Sequence, residues 1–177
     1  MRKLAVKQIN YMSFSKNLKN KFFSKEIIVP LLIIFFIFIL DRVTKIKILT
    51  HQINDTGSLY VNDYLNFDLV WNTGIGFGLL SQNANIYYHG TTCLIFFVIV
   101  FLSYLVSRSS FHEKNLYSLI LGGAFGNFYD RLFYFAVPDF IDIHVNDFHW
   151  FTFNIADIFI TIGILFLISK DLILNKK

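Results

Sequence analysis

Cysteine, proline and charged residues are all scarce in this sequence. The 177 residues include one cysteine and two prolines, and only 16% of them are charged. A single cysteine excludes an intrachain disulfide, and Cys93, which lies among Leu94, Ile95 and Phe96, has no neighbouring base that would make it a nucleophile. Hydrophobic residues make up 55% of the chain, which is too apolar for a soluble domain of this size. The composition therefore indicates an integral membrane protein.

Positive charge is absent from two internal segments, 48–85 and 136–150, which contain no Lys or Arg. Most of the basic residues instead precede residue 27, lie at Arg108 and Lys114 beside the link between two apolar stretches, or follow residue 169. Because cytoplasmic loops are enriched in Lys and Arg, we expect both termini in the cytoplasm and the two segments on the outer side. The net charge of +4 then reflects topology and attraction to lipid, and it does not indicate nucleic-acid binding.

Four apolar stretches are long enough to cross a bilayer, which requires about 20 helical residues. They cover residues 27–47, 86–106, 116–135 and 151–169. Asp41 and Lys45 lie in the outer part of the first stretch, so protein must shield that part or it must reach the interface. Leu40 is followed by DRVTK and not by a cleavage site of small residues, which favours an uncleaved anchor over a secretory signal peptide.

The outer segment 58–71 alternates apolar and polar residues, a pattern typical of a strand with one apolar face. Leu59, Phe67 and Trp71 belong to that face, and Asp63 interrupts it, which predicts a turn between two short strands. Unpaired strand edges are not tolerated in hydrocarbon, so we expect this sheet at the outer interface. The following NTGIGFG, residues 72–78, carries three glycines and predicts a turn.

Charged side chains in the predicted spans need partners. Asp41 and Lys45 are spaced i,i+4 and can pair on one helix face. Asp130 and Arg131 are adjacent, and we expect them to form a neutralised pair at the end of the third span. In the same span, glycines form a stripe of small residues that allows a neighbouring helix to approach closely; they are Gly122, Gly123 and Gly126.

Asp157 is the residue with the clearest chemical potential, because it opens the last apolar stretch one helical turn after Asn154. A partly desolvated carboxyl beside a second one shares a proton with it. Such a pair can activate water and protonate a departing amine, which is aspartic proteolysis. The residues alone leave Asp130, Asp139 and Asp142 as candidate partners, although the adjacent arginine argues against Asp130.

Other functions would require other arrangements of residues. His144 and His149 lie among acids, which suggests a metal, but there is no HExxH helix and the two histidines are spaced awkwardly for one helical face. No serine has a recognisable base. Acids in membrane spans are also expected of a small proton-linked transporter or channel, and a non-catalytic assembly factor would leave the acids without a role.

Five blocks of sequence, in order, resemble the bacterial lipoprotein signal peptidases (signal peptidase II). They are DRVTK, NTGIGFG, GGAFGNFYDR, VPDFID and FNIAD, and the similarity runs from about residue 27 to residue 170. The resemblance implies an all-α membrane protein of four transmembrane helices with a small interfacial β-sheet on the periplasmic side. It further implies an aspartic endopeptidase of the inner membrane that uses no metal or other cofactor. The substrates would be diacylglyceryl prolipoproteins, cut just before the lipidated cysteine.

Carried onto this chain, the family's catalytic pair falls on Asp139 and Asp157. The residues that would bind substrate or support the site are Asn72, Gly74, Asn127, Asp130, Arg131, Asn154, Asp41 and Lys45. Pro138 replaces the aliphatic residue that the family commonly has before the first aspartate, and proline restricts the local backbone.

The expected organisation is a basic extension (1–25), one peptidase domain (26–172) and a short tail (173–177). We expect a monomer whose partners are substrate and membrane lipid.

Overall fold

The apolar stretches of the sequence form helices, and the outer segments form strands. The computed structural model describes residues 24–54, 57–74 and 86–174. Within them lie α1 (Lys25–Asn54), β1 (Leu59–Asn62), β2 (Leu65–Asn72), α2 (Ile86–Arg108), α3 (Phe111–Phe133), β3 (Val137–Val145), β4 (Phe148–His149) and α4 (Ile155–Leu174). The predicted basic extension, residues 75–78 of the glycine-rich segment and the end of the tail fall outside the described residues, apart from Ser24 and Lys25.

Several helix boundaries differ from the prediction, and two of them bear on the site. Helix α1 continues to Asn54, beyond the predicted end at residue 47. Helix α4 begins at Ile155 and not at residue 151, because Asn154 caps it. The Asn154 side-chain oxygen accepts a hydrogen bond from the Asp157 N–H at 3.1 Å, and Asp157 Oδ2 accepts one from the Asn154 N–H at 3.1 Å. This reciprocal arrangement satisfies two N–H groups that a helix start leaves free.

Length and hydropathy identify two of the described helices as candidate membrane spans, Lys25–Asn54 and Tyr88–Arg108. Helices α3 and α4 also contain charged residues, including Asp130 and Arg131 in α3 and Lys170 in α4. All four helices nevertheless expose large apolar side chains to their surroundings, among them Phe36, Phe97, Phe133 and Phe166. Four membrane-crossing helices remain a prediction.

Helix α3 packs against the other three helices, and its glycines allow the close contact that the small-residue stripe predicts. A Cβ on Gly123 would lie 2.5 Å from the Ala156 carbonyl oxygen of α4, and one on Gly122 would lie 3.1 Å from the Ile34 carbonyl oxygen of α1. The buried apolar core between α2 and α3 is formed by Ile99, Leu102, Ile120 and Leu121. This core fixes α2 and α3 relative to each other.

The four described strands form one antiparallel sheet in the order β1-β2-β3-β4. The predicted pair of short strands is confirmed, with a turn in which the Asn62 side chain accepts a hydrogen bond from the Tyr64 N–H at 2.9 Å. Strands β3 and β4 were not predicted from the sequence. Their signal is the β-branched and aromatic run VPDFIDIHV followed by a turn at Asn146, which has a φ of 53°.

A bulge in β2 changes which side chains face inward. Phe67 pairs with Ile141 and Val70 pairs with Asp139. Between these two pairs β2 moves forward by three residues, whereas β3 moves back by only two. One extra residue on a strand reverses the alternation beyond it. The bulge therefore breaks the predicted common face of Phe67 and Trp71: Trp71 is 45% exposed, while Asn72 is only 7% exposed.

Candidate functional site

Two carboxyl groups, those of Asp139 and Asp157, lie where the sheet meets α3 and α4. Asp139 is on β3 and Asp157 is in the first turn of α4. Three asparagines connect the two acids, and each comes from a different part of the fold: Asn72 from the end of β2, Asn127 from α3 and Asn154 from the N-cap of α4.

Asn72 binds Asp139 with its amide held in one orientation. Its Nδ2 donates to Asp139 Oδ2 at 2.9 Å, and its Oδ1 accepts from the Gly74 N–H at 2.9 Å. Because a backbone N–H can only donate, the oxygen of the amide must face Gly74 and the nitrogen must face the acid. The bulge in β2 makes this contact possible, since it turns Asn72 inward.

Asn154 is fully buried and connects both acids. Its Nδ2 donates to Asp139 Oδ1 at 2.6 Å and to Asn127 Oδ1 at 3.1 Å, while its Oδ1 caps α4 at the Asp157 N–H. Each oxygen of Asp139 thus has one donor and keeps acceptor capacity for a water or a substrate group.

Asn127 binds Asp157 with the nitrogen of its side-chain amide, while the oxygen of that amide is held by other donors. Its Nδ2 donates to Asp157 Oδ1 at 2.8 Å, and its Oδ1 accepts from Lys45 Nζ at 2.8 Å. An ammonium group has no acceptor, so it can only bind the oxygen of the amide. Lys45 and the Asn154 amide, whose Nδ2 donates to the same oxygen at 3.1 Å, together ensure that Asn127 offers a donor to Asp157.

Beneath the asparagines, Asp41, Arg42, Lys45 and Asp130 form a buried cluster of two acids and two bases. Lys45 Nζ lies 3.0 Å from the Asp41 carboxylate and 2.7 Å from Asp130 Oδ2, and Arg42 Nη2 lies 2.8 Å from each of these acids. The predicted i,i+4 pair of Asp41 and Lys45 is confirmed. Asp41 Oδ1 also accepts from the Ala156 N–H at 3.2 Å, where the positive end of α4 stabilises a negative charge.

The prediction that Asp130 pairs with Arg131 is wrong. Asp130 binds Arg42 and Lys45, because consecutive helical residues point about 100° apart and Asp130 faces α1. Arg131 points to the Tyr88 side: its guanidinium lies 5.5 Å from the Tyr88 ring, and its carbonyl oxygen accepts from the Tyr88 hydroxyl at 2.7 Å. Arg131 Nη1 is buried without a hydrogen-bond partner.

Burial raises the pKa of Asp139 to about 7, and the neighbouring Asp157 charge contributes to the increase. The hydrogen bonds from Asn72 and Asn154 oppose the shift, but they do not cancel it. Near neutral pH, Asp139 therefore exists in both protonation states, which is the property required of an acid that gives and takes a proton.

Two cavities of about 350 Å³ meet at Asp157. The first has a polar end that contains both acids, Asn72, Asn127 and Arg131, and it continues as an apolar groove between α2, α3 and α4. The second is almost entirely apolar and lies between α4 and the β3–β4 hairpin, where Trp150 and Phe151 line it. The site thus combines a polar centre with room for apolar groups on two sides.

The structure brings together all the site residues that the sequence predicted, but it adds Arg42, Tyr88 and Ala156. Arg42 lies inside the DRVTK block, so the sequence could have indicated it as a site residue, whereas no sequence feature indicates Tyr88. The spacing argument against a metal assumed a helical face for His144 and His149; this assumption is wrong, since they are cross-strand partners on β3 and β4.

Comparison with known proteins gives a consistent result. The family described as Signal peptidase (SPase) II matches residues 33–173 of this chain. The chain is 45% identical to the lipoprotein signal peptidase of Pelagibacter ubique (strain HTCC1062) over 159 residues, which cover 89% of this chain and 96% of that protein. It is 43% identical to the lipoprotein signal peptidase of Francisella tularensis subsp. mediasiatica (strain FSC147) over 126 residues, 68% of this chain and 77% of that protein. A bacterial membrane enzyme solved by the in meso method at 2.3 Å resolution superposes with a TM-score of 0.69 at 30% identity, covering 82% of this chain and 88% of that one.

Proposed function

The chain belongs to the signal peptidase II family, which makes it a membrane peptidase, and we propose that it cleaves diacylglyceryl prolipoproteins as an aspartic endopeptidase just before the lipidated cysteine. The observation that carries the proposal is the pairing of Asp139 and Asp157. They come from separate elements, line one cavity and are bridged through Asn154 and Asn127.

In the proposed reaction the two acids hold one proton between them and bind a water molecule. The ionised carboxylate takes a proton from the water as its oxygen attacks the scissile carbonyl carbon, and the protonated carboxyl donates to the carbonyl oxygen. The C–N bond of the tetrahedral intermediate then breaks; the nitrogen of the departing peptide takes a proton from the pair, and a hydroxyl of the intermediate returns a proton to the pair as the new carboxyl group forms its C=O bond. The asparagines keep both acids in position for these transfers.

Arg131 supports substrate binding in this proposal. Its unpartnered Nη1 lies beside the polar end of the first cavity, where a carbonyl oxygen of an extended peptide would accept its hydrogen bond. The apolar groove that continues from the acids would take the lipid chains or the apolar part of the signal peptide. Holding the lipid in a fixed place would select the bond to be cut.

The proposed topology has both termini in the cytoplasm and the site near the outer face of the inner membrane. Segments 48–85 and 136–150, which contain β1–β4, have no Lys or Arg. Asp157 lies in the first turn of α4 and Asp139 in a strand, so both acids belong to the sheet end of the helices. A proton-linked transporter would instead place its acids near the middle of the spans.

The direct test uses Asp139→Asn and Asp157→Asn in purified protein, with Asp147→Asn as a control because Asp147 is an exposed acid on the same hairpin. The substrates are one prolipoprotein with and one without the diacylglyceryl group, and a gel shift measures cleavage. We expect both site variants to lose cleavage and the control to retain it, with the lipidated precursor cut preferentially. Cleavage by either site variant at the rate of the control would contradict the proposal.

A further inference from the structure

A second cluster of potential ligands lies on the β3–β4 hairpin, apart from the two acids of the candidate active site. Asp142 and His144 are two residues apart on β3, so their side chains project from the same face of the strand. His149 on β4 is the cross-strand partner of His144. Directly opposed residues of an antiparallel pair place their side chains in contact, so strand geometry alone brings these three together.

The distances confirm that the three side chains converge. His149 Nδ1 lies 2.8 Å and His144 Nδ1 3.8 Å from Asp142 Oδ2, and one ligand atom of each residue lies within 4.8 Å of the others. The two imidazole rings stack with centroids 5.1 Å apart and an angle of 19° between their planes. Two imidazoles and a carboxylate at these distances are a typical donor set for Zn²⁺.

One nitrogen of the cluster lacks a partner. His144 Nδ1 is buried and has no hydrogen-bond partner, and the His144 side chain as a whole is only 11% exposed. Buried polar atoms are almost always paired, so an unpaired ring nitrogen that points at a carboxylate requires an explanation. A cation between His144 and Asp142 would provide the missing partner.

The third ligand, His149, is free to adjust its position. The side chain of His149 is 55% exposed, whereas that of Asp142 is 8% exposed. Ligand bonds of about 2.0–2.2 Å place tetrahedral ligand atoms roughly 3.4 Å apart, so the contact of His149 with Asp142 must lengthen slightly. A small rotation of the exposed imidazole achieves this without a change in the strands.

We propose that Asp142, His144 and His149 bind one divalent transition-metal ion, with Zn²⁺ as the preferred ion, and that this ion joins β3 to β4. Three protein ligands leave a fourth position for water. Neither Asp139 nor Asp157 belongs to the cluster, so the metal has a structural role and the proposal does not depend on the peptidase chemistry. The hairpin also carries Trp150, which lines the apolar cavity at Asp157, so metal binding would fix one wall of that cavity.

The test is a cobalt titration of the full chain, purified in detergent without a polyhistidine tag. We expect visible d–d absorption that saturates at one equivalent of Co²⁺ and disappears when Zn²⁺ is added. His149→Ala should weaken binding by more than about tenfold, because even the loss of an outer partner of a ligand costs that much. His112→Ala removes an exposed histidine at the start of α3 and should bind metal as the unaltered protein does.

His149 is exposed, so its replacement leaves the buried side chains in place, and thermal unfolding without metal would verify that His149→Ala is folded. Asp142→Asn gives a second test, because it removes the charge and retains the shape. Absence of saturable binding in the unaltered protein would overturn the proposal, and so would equal binding by His149→Ala and His112→Ala.

Discussion

Replacing Lys45 by methionine separates two functions that the structure assigns to one ammonium group. Lys45 Nζ binds Asp41 and Asp130 within the buried cluster, and it also holds the amide of Asn127 in the orientation that serves Asp157. Methionine fills much of the same volume but can do neither. The variant should therefore lose both stability and cleavage, for different reasons.

The two losses have different magnitudes. The cluster contains two acids and two bases, so Lys45→Met leaves one buried negative charge unbalanced, which costs about 3–5 kcal/mol. The second substitution Asp130→Asn restores neutrality and should recover most of that free energy of unfolding. Neither change restores the Lys45 bond to Asn127, so only the longer bond from Asn154 Nδ2 holds the amide whose hydrogen bond to the Asp157 carboxylate is worth about 1.5–3 kcal/mol. If that free energy is lost from the transition state, cleavage slows by about 10- to 150-fold.

Thermal unfolding in detergent measures stability, and gel-shift cleavage of a lipidated precursor measures activity. Lys47→Met is the matched control, because Lys47 lies two residues away on the same helix and is exposed. We expect Lys45→Met to be unstable and slow, and Lys45→Met/Asp130→Asn to be stable and still slow. Recovery of full cleavage together with stability in the double variant would refute the role of Lys45 in orienting Asn127.

Four further predictions rest on the structure of the site and its surroundings. Raising the pH above 7 should lower cleavage by about tenfold per pH unit, because the pKa of Asp139 is about 7 and the pair then loses its shared proton; a rate that is flat from pH 7 to 9 would contradict this. In unfolding measurements, stability from this group is fully present below about pH 4 and is lost as pH rises through 7, since only the folded chain holds the Asp139 proton in that interval. Gly126→Ala should destabilise the fold, as its Cβ would lie 2.5 Å from Asp41 Oδ2, and unchanged thermal unfolding would disprove the close contact. EDTA should leave cleavage within about twofold, because neither Asp139 nor Asp157 belongs to the candidate metal cluster; inactivation that Zn²⁺ reverses would instead show that cleavage requires the hairpin metal.

The helices were predictable from the sequence, because an apolar stretch of about 20 residues has few alternatives to a helix. The pair β1 and β2 was predictable from alternation, but the bulge between Phe67 and Val70 was not, since it depends on the register with β3. Strand β3 was missed because Asp139 and Asp142 interrupt its apolar character. These two acids are buried by tertiary contacts that no local pattern reports.

The candidate site was predictable only in part. The residues alone singled out Asp157, and the resemblance to lipoprotein signal peptidases selected Asp139 as its partner. The partner of Asp130 was misassigned to its neighbour Arg131, whereas Arg42 lies 88 positions away in the chain and reaches it through helix packing. Sequence distance therefore misled the assignment of a charge pair that spatial distance decides.

The start of α4 explains why a carboxylate stands at the beginning of an apolar helix. A helix start leaves N–H groups without partners, and Asn154 and Asp157 satisfy two of them through the reciprocal cap. The positive end of the helix also stabilises negative charge there. The cap uses only Oδ2 of Asp157, so Oδ1 remains for Asn127, while the Nδ2 of Asn154 remains for Asp139. The residues that define where the helix begins are thus the residues that hold the acids, and a shift of the helix start by one residue would disrupt both. This coupling explains how a short chain can position two acids accurately with few supporting residues.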